Sequence, residues 1–285
     1  MLWSRKMGLL LLAAAAPAQP PPSTVEQEKI IADLRVYAQD YIRKLPDFIC
    51  LQITKREIRV APNEGFSGIR ETGGRGGPGR ITSGDSNSKD TFEEQLTFFD
   101  RREMYQLLKI NGARQKPGQP RPPGMTSTGE FGTTLNAVFD LQSNTEFEWK
   151  RWDTLRGQTV VVFSFHIDQP HSQAQLDVPS RSVVVGYHGL IFADRNTNMV
   201  LRLTTEAEAP KDFPLQDVTH VLDYGRVQIS GVEFTLPLHA GMQTRMSEDF
   251  MRYGREGGHS KQVYLTNEVD FRDYRKYTAE SVIKP

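Results

Sequence analysis

From Ser23 to Leu45 the apolar residues Val25, Ile30, Ile31, Leu34, Tyr37, Ala38, Tyr41, Ile42 and Leu45 recur at steps of three and four. That period predicts an amphipathic helix with one buried face. Ser23 or Thr24 can cap it, Glu26 and Glu28 suit its first turn, Arg43 and Lys44 suit its last, and Pro46 stops it. Its polar face mixes signs, which favours packing on a core over lying on an anionic membrane surface.

Beyond Pro46 the period changes to two. Strand-like stretches run over 47–60, 91–100, 103–111, 145–153, 158–168, 182–194, 198–207, 217–229, 232–246 and 262–275. Most fall in adjacent pairs separated by short polar turns at 100–103, 154–158, 194–198 and 229–231. Such turns make hairpins, so the pattern predicts an antiparallel meander rather than a parallel α/β sheet. Several strands carry one apolar face: Val161, Phe163, Phe165 and Ile167; Met199, Leu201 and Leu203; Val232, Phe234, Leu236 and Leu238; Val263, Leu265, Val269 and Phe271. One sheet face is therefore expected wet and the other covered.

A sheet this large must curl or be capped. The helix at 24–45 and an apolar helix-like run at 130–140 are available as covers. The expected architecture is mainly β (α+β): a curved antiparallel sheet or incomplete barrel capped by an N-terminal and a mid-chain helix. If 47–60 and 91–111 formed a second sheet, the result would be a sandwich instead. Two stretches interrupt the pattern. Residues 61–90 hold eight Gly and almost no large apolar residue, as expected of a mobile excursion between strands. Residues 112–124, GARQKPGQPRPPG, form a basic, Pro-rich loop.

Residues 1–18 read as a secretory leader: Arg5 and Lys6 precede an apolar stretch from Met7 to Ala16, and small residues at Ala16 and Ala18 fit a cleavage site. The apolar stretch is too short to span a bilayer. The mature chain is expected to start at Gln19, with 19–23 as a Pro-rich spacer and 24–285 as a single domain in the periplasm or outside the cell. No transmembrane segment is expected in it.

The 285 residues balance 35 Lys and Arg against 35 Asp and Glu, which removes the cationic surplus that phosphate-backbone binding needs. Nucleic acid is therefore not an expected partner. The single cysteine, Cys50, lies in the apolar run FICLQI and excludes both a disulfide framework and a thiolate metal cluster.

Motifs for chemistry are weak. Gly74, Gly76 and Gly79 satisfy G-x-G-x-x-G, but with Pro78 among them and no helix pattern after them they cannot present a helix N-terminus to a pyrophosphate. There is no P-loop and no nucleophile elbow. His166, His171, His188, His220, His239 and His259 show no metal-binding spacing, and Glu146 and Glu148 share a strand face without a partner. Phe147, Trp149 and Trp152 can fill a core or line a ligand site. No catalytic residue, metal site or cofactor is expected, and the chain is read as non-enzymatic.

The stretch GLIFADRNTNMVLRLTTEAE at 189–208 resembles a hairpin of the half-barrel superfamily of periplasmic lipoprotein carriers (LolA/LolB-like) and RseB-related anti-sigma regulators. HVLDYGRVQISGVEFTLPLHAGM at 220–242 continues in that style, and NEVDFRDYRKYTAES at 267–281 would close the sheet. The resemblance implies non-covalent shielding of an acyl chain, lipid or lipoprotein on the concave face. Phe163, Phe165, Leu201, Leu203, Phe234, Leu236, Val269 and Phe271 are the expected wall residues. The alternative is an interaction or sensor protein using the sheet as scaffold and the loops 61–90 and 112–124 to contact a protein partner.

Overall fold

In the computed structural model of the chain, residues 20–61, 87–121, 130–179, 181–248, 250 and 261–278 are described. The expected leader, most of the Gly-rich excursion and the end of the Pro-rich loop lie outside these residues.

Helix α1 (Thr24–Lys44) forms where the period of three and four places it. Ser23 caps it reciprocally: the Glu26 N–H donates to Ser23 Oγ at 3.3 Å, and the Ser23 N–H donates to Glu26 Oε2 at 2.7 Å. Leu34, Ala38 and Tyr41 are buried on one face, at steps of four and three. A short helix α2 (Thr133–Phe139) lies inside the expected run 130–140. Gly132 opens it with φ of 110°, and a Cβ there would stand 2.6 Å from Ile42 Cγ1. Glycine thus allows the close approach of α2 to α1.

The strands are β1 (Phe48–Val60), β2 (Ser88–Phe99), β3 (Arg102–Ile110), β4 (Ala113–Arg114), β5 (Glu146–Leu155), β6 (Gln158–Ile167), β7 (Gln175–Val178), β8 (Arg181–Val184), β9 (Tyr187–Asp194), β10 (Val200–Ala207), β11 (Gln216–Ile229), β12 (Val232–Ser247) and β13 (Gln262–Lys276). Eleven of them form one sheet in the order β4-β3-β2-β1-β13-β12-β11-β10-β9-β6-β5. The sandwich alternative fails, because β1 pairs with β13 along almost its whole length and so joins 48–60 and 88–110 to the rest. The stretch 182–194 is split at Val185–Gly186, and its first part makes a separate small hairpin of β7 and β8.

Several hairpins turn on two successive positive-φ residues, the signature of type I′ turns. Asn111–Gly112, Arg156–Gly157 and Ser230–Gly231 are such pairs. Asp100–Arg101 achieves the same without glycine, and the Asp100 N–H is held by Asp47 Oδ1 at 3.1 Å.

Aromatic contacts reveal the curvature. Phe131 packs on Phe48 of β1 and Phe98 of β2, with ring centroids 5.2 and 6.1 Å away, while Phe139 stacks on Phe147 of β5 at 5.4 Å. From Phe131 to Phe139 the chain can rise only roughly 12 Å as helix. In a flat sheet β2 and β5 would lie roughly 38 Å apart at about 4.8 Å per strand. The sheet therefore wraps around the helices as an open, curved half-barrel. Among the described residues no helix is long and apolar enough to cross a membrane.

Candidate functional site

The concave face and its helical cover are the most extensive apolar feature of the molecule. Phe163, Phe165, Leu203, Leu236, Val269 and Phe271 all face one core cluster and are at most 7% exposed. Phe234 is half-buried against the same cluster. Leu201 departs from the expected wall. Val200 pairs with Ala193 and Arg202 with Phe192, so Leu201 is the extra residue of a β-bulge. The bulge turns it to the outer face, where it packs with Val160, Val162 and Phe192. The freed carbonyl of Leu201 accepts from Arg156 Nη2 at 3.0 Å. The same nitrogen donates at 2.6 Å to the carbonyl of Tyr224, beside a second register shift.

The concave face is covered, as expected, by α1 and α2. Leu34, Ala38 and Tyr41 of α1 and Leu135, Val138 and Phe139 of α2 pack against it, together with Phe131. Tyr41 stands edge-on to Tyr224, and burial drives both hydroxyls far above the ordinary phenol range. Cys50 lies in this core, and burial likewise pushes its thiol up, so the residue is an inert filler there.

The concave face becomes polar away from the helices. Gln52, Thr54 and Arg56 continue the inward side of β1, opposite Glu94 and Phe92 of β2. Arg121, from the Pro-rich loop, grips buried Glu94 with two nitrogens, its Nε lying 2.9 Å from Oε1. Arg56 covers Phe92 at 4.6 Å. One cation of the basic loop is thereby committed to the chain's own core.

The free edge of the sheet at β5 is flanked by α1. Trp152 Nε1 donates to the Pro20 carbonyl at 2.9 Å, and the Arg35 guanidinium lies 5.8 Å from the centre of Phe147. The chain from Pro20 to Arg35 thus meets β5 at Trp152 and again at Phe147. Phe147, Trp149 and Trp152 are all partly buried against the core. Within this region Arg35 Nε and Trp149 Nε1 are buried without a hydrogen-bond partner, as is Tyr41 Oη in the core beside Tyr224. His220 Nε2, on β11, is likewise sealed and unpartnered, and burial alone depresses this imidazole to about 4. Arg35 was not singled out from the sequence, although its spacing from Ile31 and Ala38 sets it in the apolar stripe of α1.

The outer face carries a shallow groove of about 680 Å³ across β5, β6, β9, β10 and β11. Two histidines of its rim share one carboxylate: His166 Nε2 is 3.1 Å and His188 Nδ1 3.4 Å from Glu208 Oε1. All three groups are nearly half exposed, and Ser164 lines the same groove. Among the described residues no group of three His, Cys, Asp or Glu is placed to hold a metal ion.

No protein-family model matches the chain, and no curated protein matches it in sequence. Solved structures do match in shape. A DUF1329 family protein from Desulfovibrio piger shares 9% identity over 89% of this chain and 94% of its own, with a TM-score of 0.38. A LolA superfamily protein from Nitrosomonas europaea shares 10% over 88% and 93%, with a TM-score of 0.32. The Mycobacterium tuberculosis lipoprotein LppX shares 6% over 88% and 97%, with a TM-score of 0.29.

Proposed function

We propose that this protein is a non-enzymatic carrier, acting outside the cytoplasm, that holds the acyl chain of a lipid or lipoprotein between its helices and the concave face of its sheet. One observation carries the reading: among the described residues the long apolar wall of the sheet is roofed by α1 and α2 with Phe131. Among the described residues no backbone hydrogen bond ties either helix to the sheet. The roof is held by apolar packing and a few side-chain bonds, such as Asn198 Nδ2 to Asp33 Oδ2 at 3.1 Å and Trp152 to Pro20. Each bond of this kind contributes about 1 kcal/mol. An acyl chain entering beneath the roof exchanges one apolar contact for another and breaks no strand ladder. Burial returns about 0.8 kcal/mol for each methylene removed from water.

The test is native mass spectrometry of the mature chain from Gln19, exported and purified without detergent, followed by organic extraction. A stoichiometric apolar adduct, or uptake of added fatty acid or phospholipid, is the expected result. A clean apo mass with no uptake of either would overturn the reading. It would favour the scaffold alternative, with the loops at 61–90 and 112–124 as contacts.

A further inference from the structure

Arg35 and Trp149 pose a chemical question that the core does not answer. Other arginines of this molecule have carboxylates: Arg202 meets Asp223 at 2.8 Å and Arg245 meets Asp217 at 2.6 Å. Arg35 is half-buried and has neither an ion-pair nor a hydrogen-bond partner among the described residues, and its Nε is sealed from solvent. A guanidinium N–H sealed from water without an acceptor is costly, even where the terminal nitrogens are not sealed. Trp149 Nε1 is sealed and unpartnered as well. Both groups only donate, so the partner they lack is an acceptor, and beside a permanent cation it is an anionic oxygen.

The two donors share one locality. Arg35 lies over Phe147, and Trp149 is two residues farther along β5, roughly 7 Å away on the same inward side. β5 ends the sheet, so this seam between helix and edge strand is a place where a molecule can enter without parting two strands. Phe139, stacked on Phe147, and Phe163 form the apolar core behind it.

We infer that Arg35 and Trp149 form a head-group site for an anionic amphiphile, its carboxylate or phosphate oxygens held at the α1–β5 seam while its hydrocarbon tail passes under the helices. The inference rests on the acyl-binding reading above and adds the charge and the position of the head group. A neutral lipid of equal tail length offers an acceptor oxygen but no counter-charge for the guanidinium, so the site discriminates by charge.

The experiment compares dodecanoate, dodecanol, acetate and inorganic phosphate by calorimetric titration of the mature chain. Dodecanoate is expected to bind at least about tenfold more tightly than dodecanol, as a charge-assisted hydrogen bond implies. Arg35→Gln is expected to erase that preference while leaving dodecanol affinity unchanged. Arg35→Lys, which keeps the charge but loses the fork, should retain part of the preference, and it guards against a fold defect in the glutamine variant. Trp149→Phe should weaken dodecanoate alone, by a few-fold. Equal binding of dodecanoate and dodecanol, unmoved by Arg35→Gln, overturns the head-group site and leaves acyl binding standing. Acetate or phosphate binding as tightly as dodecanoate, and lost in Arg35→Gln, overturns the lipid assignment in favour of a free-anion site. Failure of both amphiphiles to bind removes the acyl-binding reading itself.

Discussion

His220 makes the stability of this fold depend on pH, by an amount that can be worked out. Its ring lies on the inward side of β11, where its register partners are Thr205 on β10 and Met242 on β12. Burial holds the imidazole at about 4, against 6.5 for the free group, and no neighbouring charge contributes to the shift. The folded state therefore resists a proton that the unfolded chain accepts. The sign follows: the contribution is fully present above the unfolded value and is lost as pH falls from 6.5 toward 4. Between pH 7 and pH 5 the loss is about 2 kcal/mol, out of roughly 3 kcal/mol for the whole shift. Urea unfolding at pH 7, 6 and 5, at fixed ionic strength, measures it. The informative quantity is the difference between wild type and His220→Gln, in which every group common to both proteins cancels. That difference should narrow by about 2 kcal/mol on acidification. A difference constant across the range to about 0.5 kcal/mol would refute the argument that burial keeps this ring neutral.

Three further outcomes are expected. Arg156→Ala strips two bulge carbonyls of their donor and should cost about 1–3 kcal/mol in urea unfolding, with Arg156→Lys recovering less than half because one amine cannot reproduce the fork; wild-type stability in the alanine variant would show that water replaces the guanidinium. Gly189→Ala would set a Cβ 1.8 Å from the Thr204 carbonyl oxygen and 2.9 Å from Phe165 Cε1, so it should lower stability by about 2 kcal/mol or more; a thermal midpoint within error of wild type counts against the close approach of β9 and β10. The Cys50 thiol should be inert to Ellman's reagent in the native state and react fully in denaturing guanidinium; modification of the folded protein at the rate of a free thiol would mean that the core around Phe48 and Tyr274 opens readily.

Much of this architecture was legible in the residues themselves, because its signals are local. Apolar spacing of three and four marked α1, and Ser23 with Glu26 marked its start. Alternation in period two located the long strands to within a few residues, and polar turns joined the hairpins β2–β3, β5–β6, β9–β10 and β11–β12. Six of the eight expected wall residues took buried places in the one core, with Phe234 at its margin. The small hairpin of β7 and β8 was missed, its four-residue strands being too short to show a period.

What the tertiary structure decided is what depends on pairing across the chain. The joins of β1 to β13 and of β6 to β9 bring together residues with no common local pattern, and they make one curved sheet where two were conceivable. A bulge adds a single residue without any compositional mark, yet it moved Leu201 to the far side of the sheet and left carbonyls for Arg156 to satisfy. Arg35 and Trp149 are ordinary at their own positions. They acquire meaning only because α1 reaches the last strand, where burial withholds water from Arg35 Nε and Trp149 Nε1 and the fold supplies neither with an acceptor.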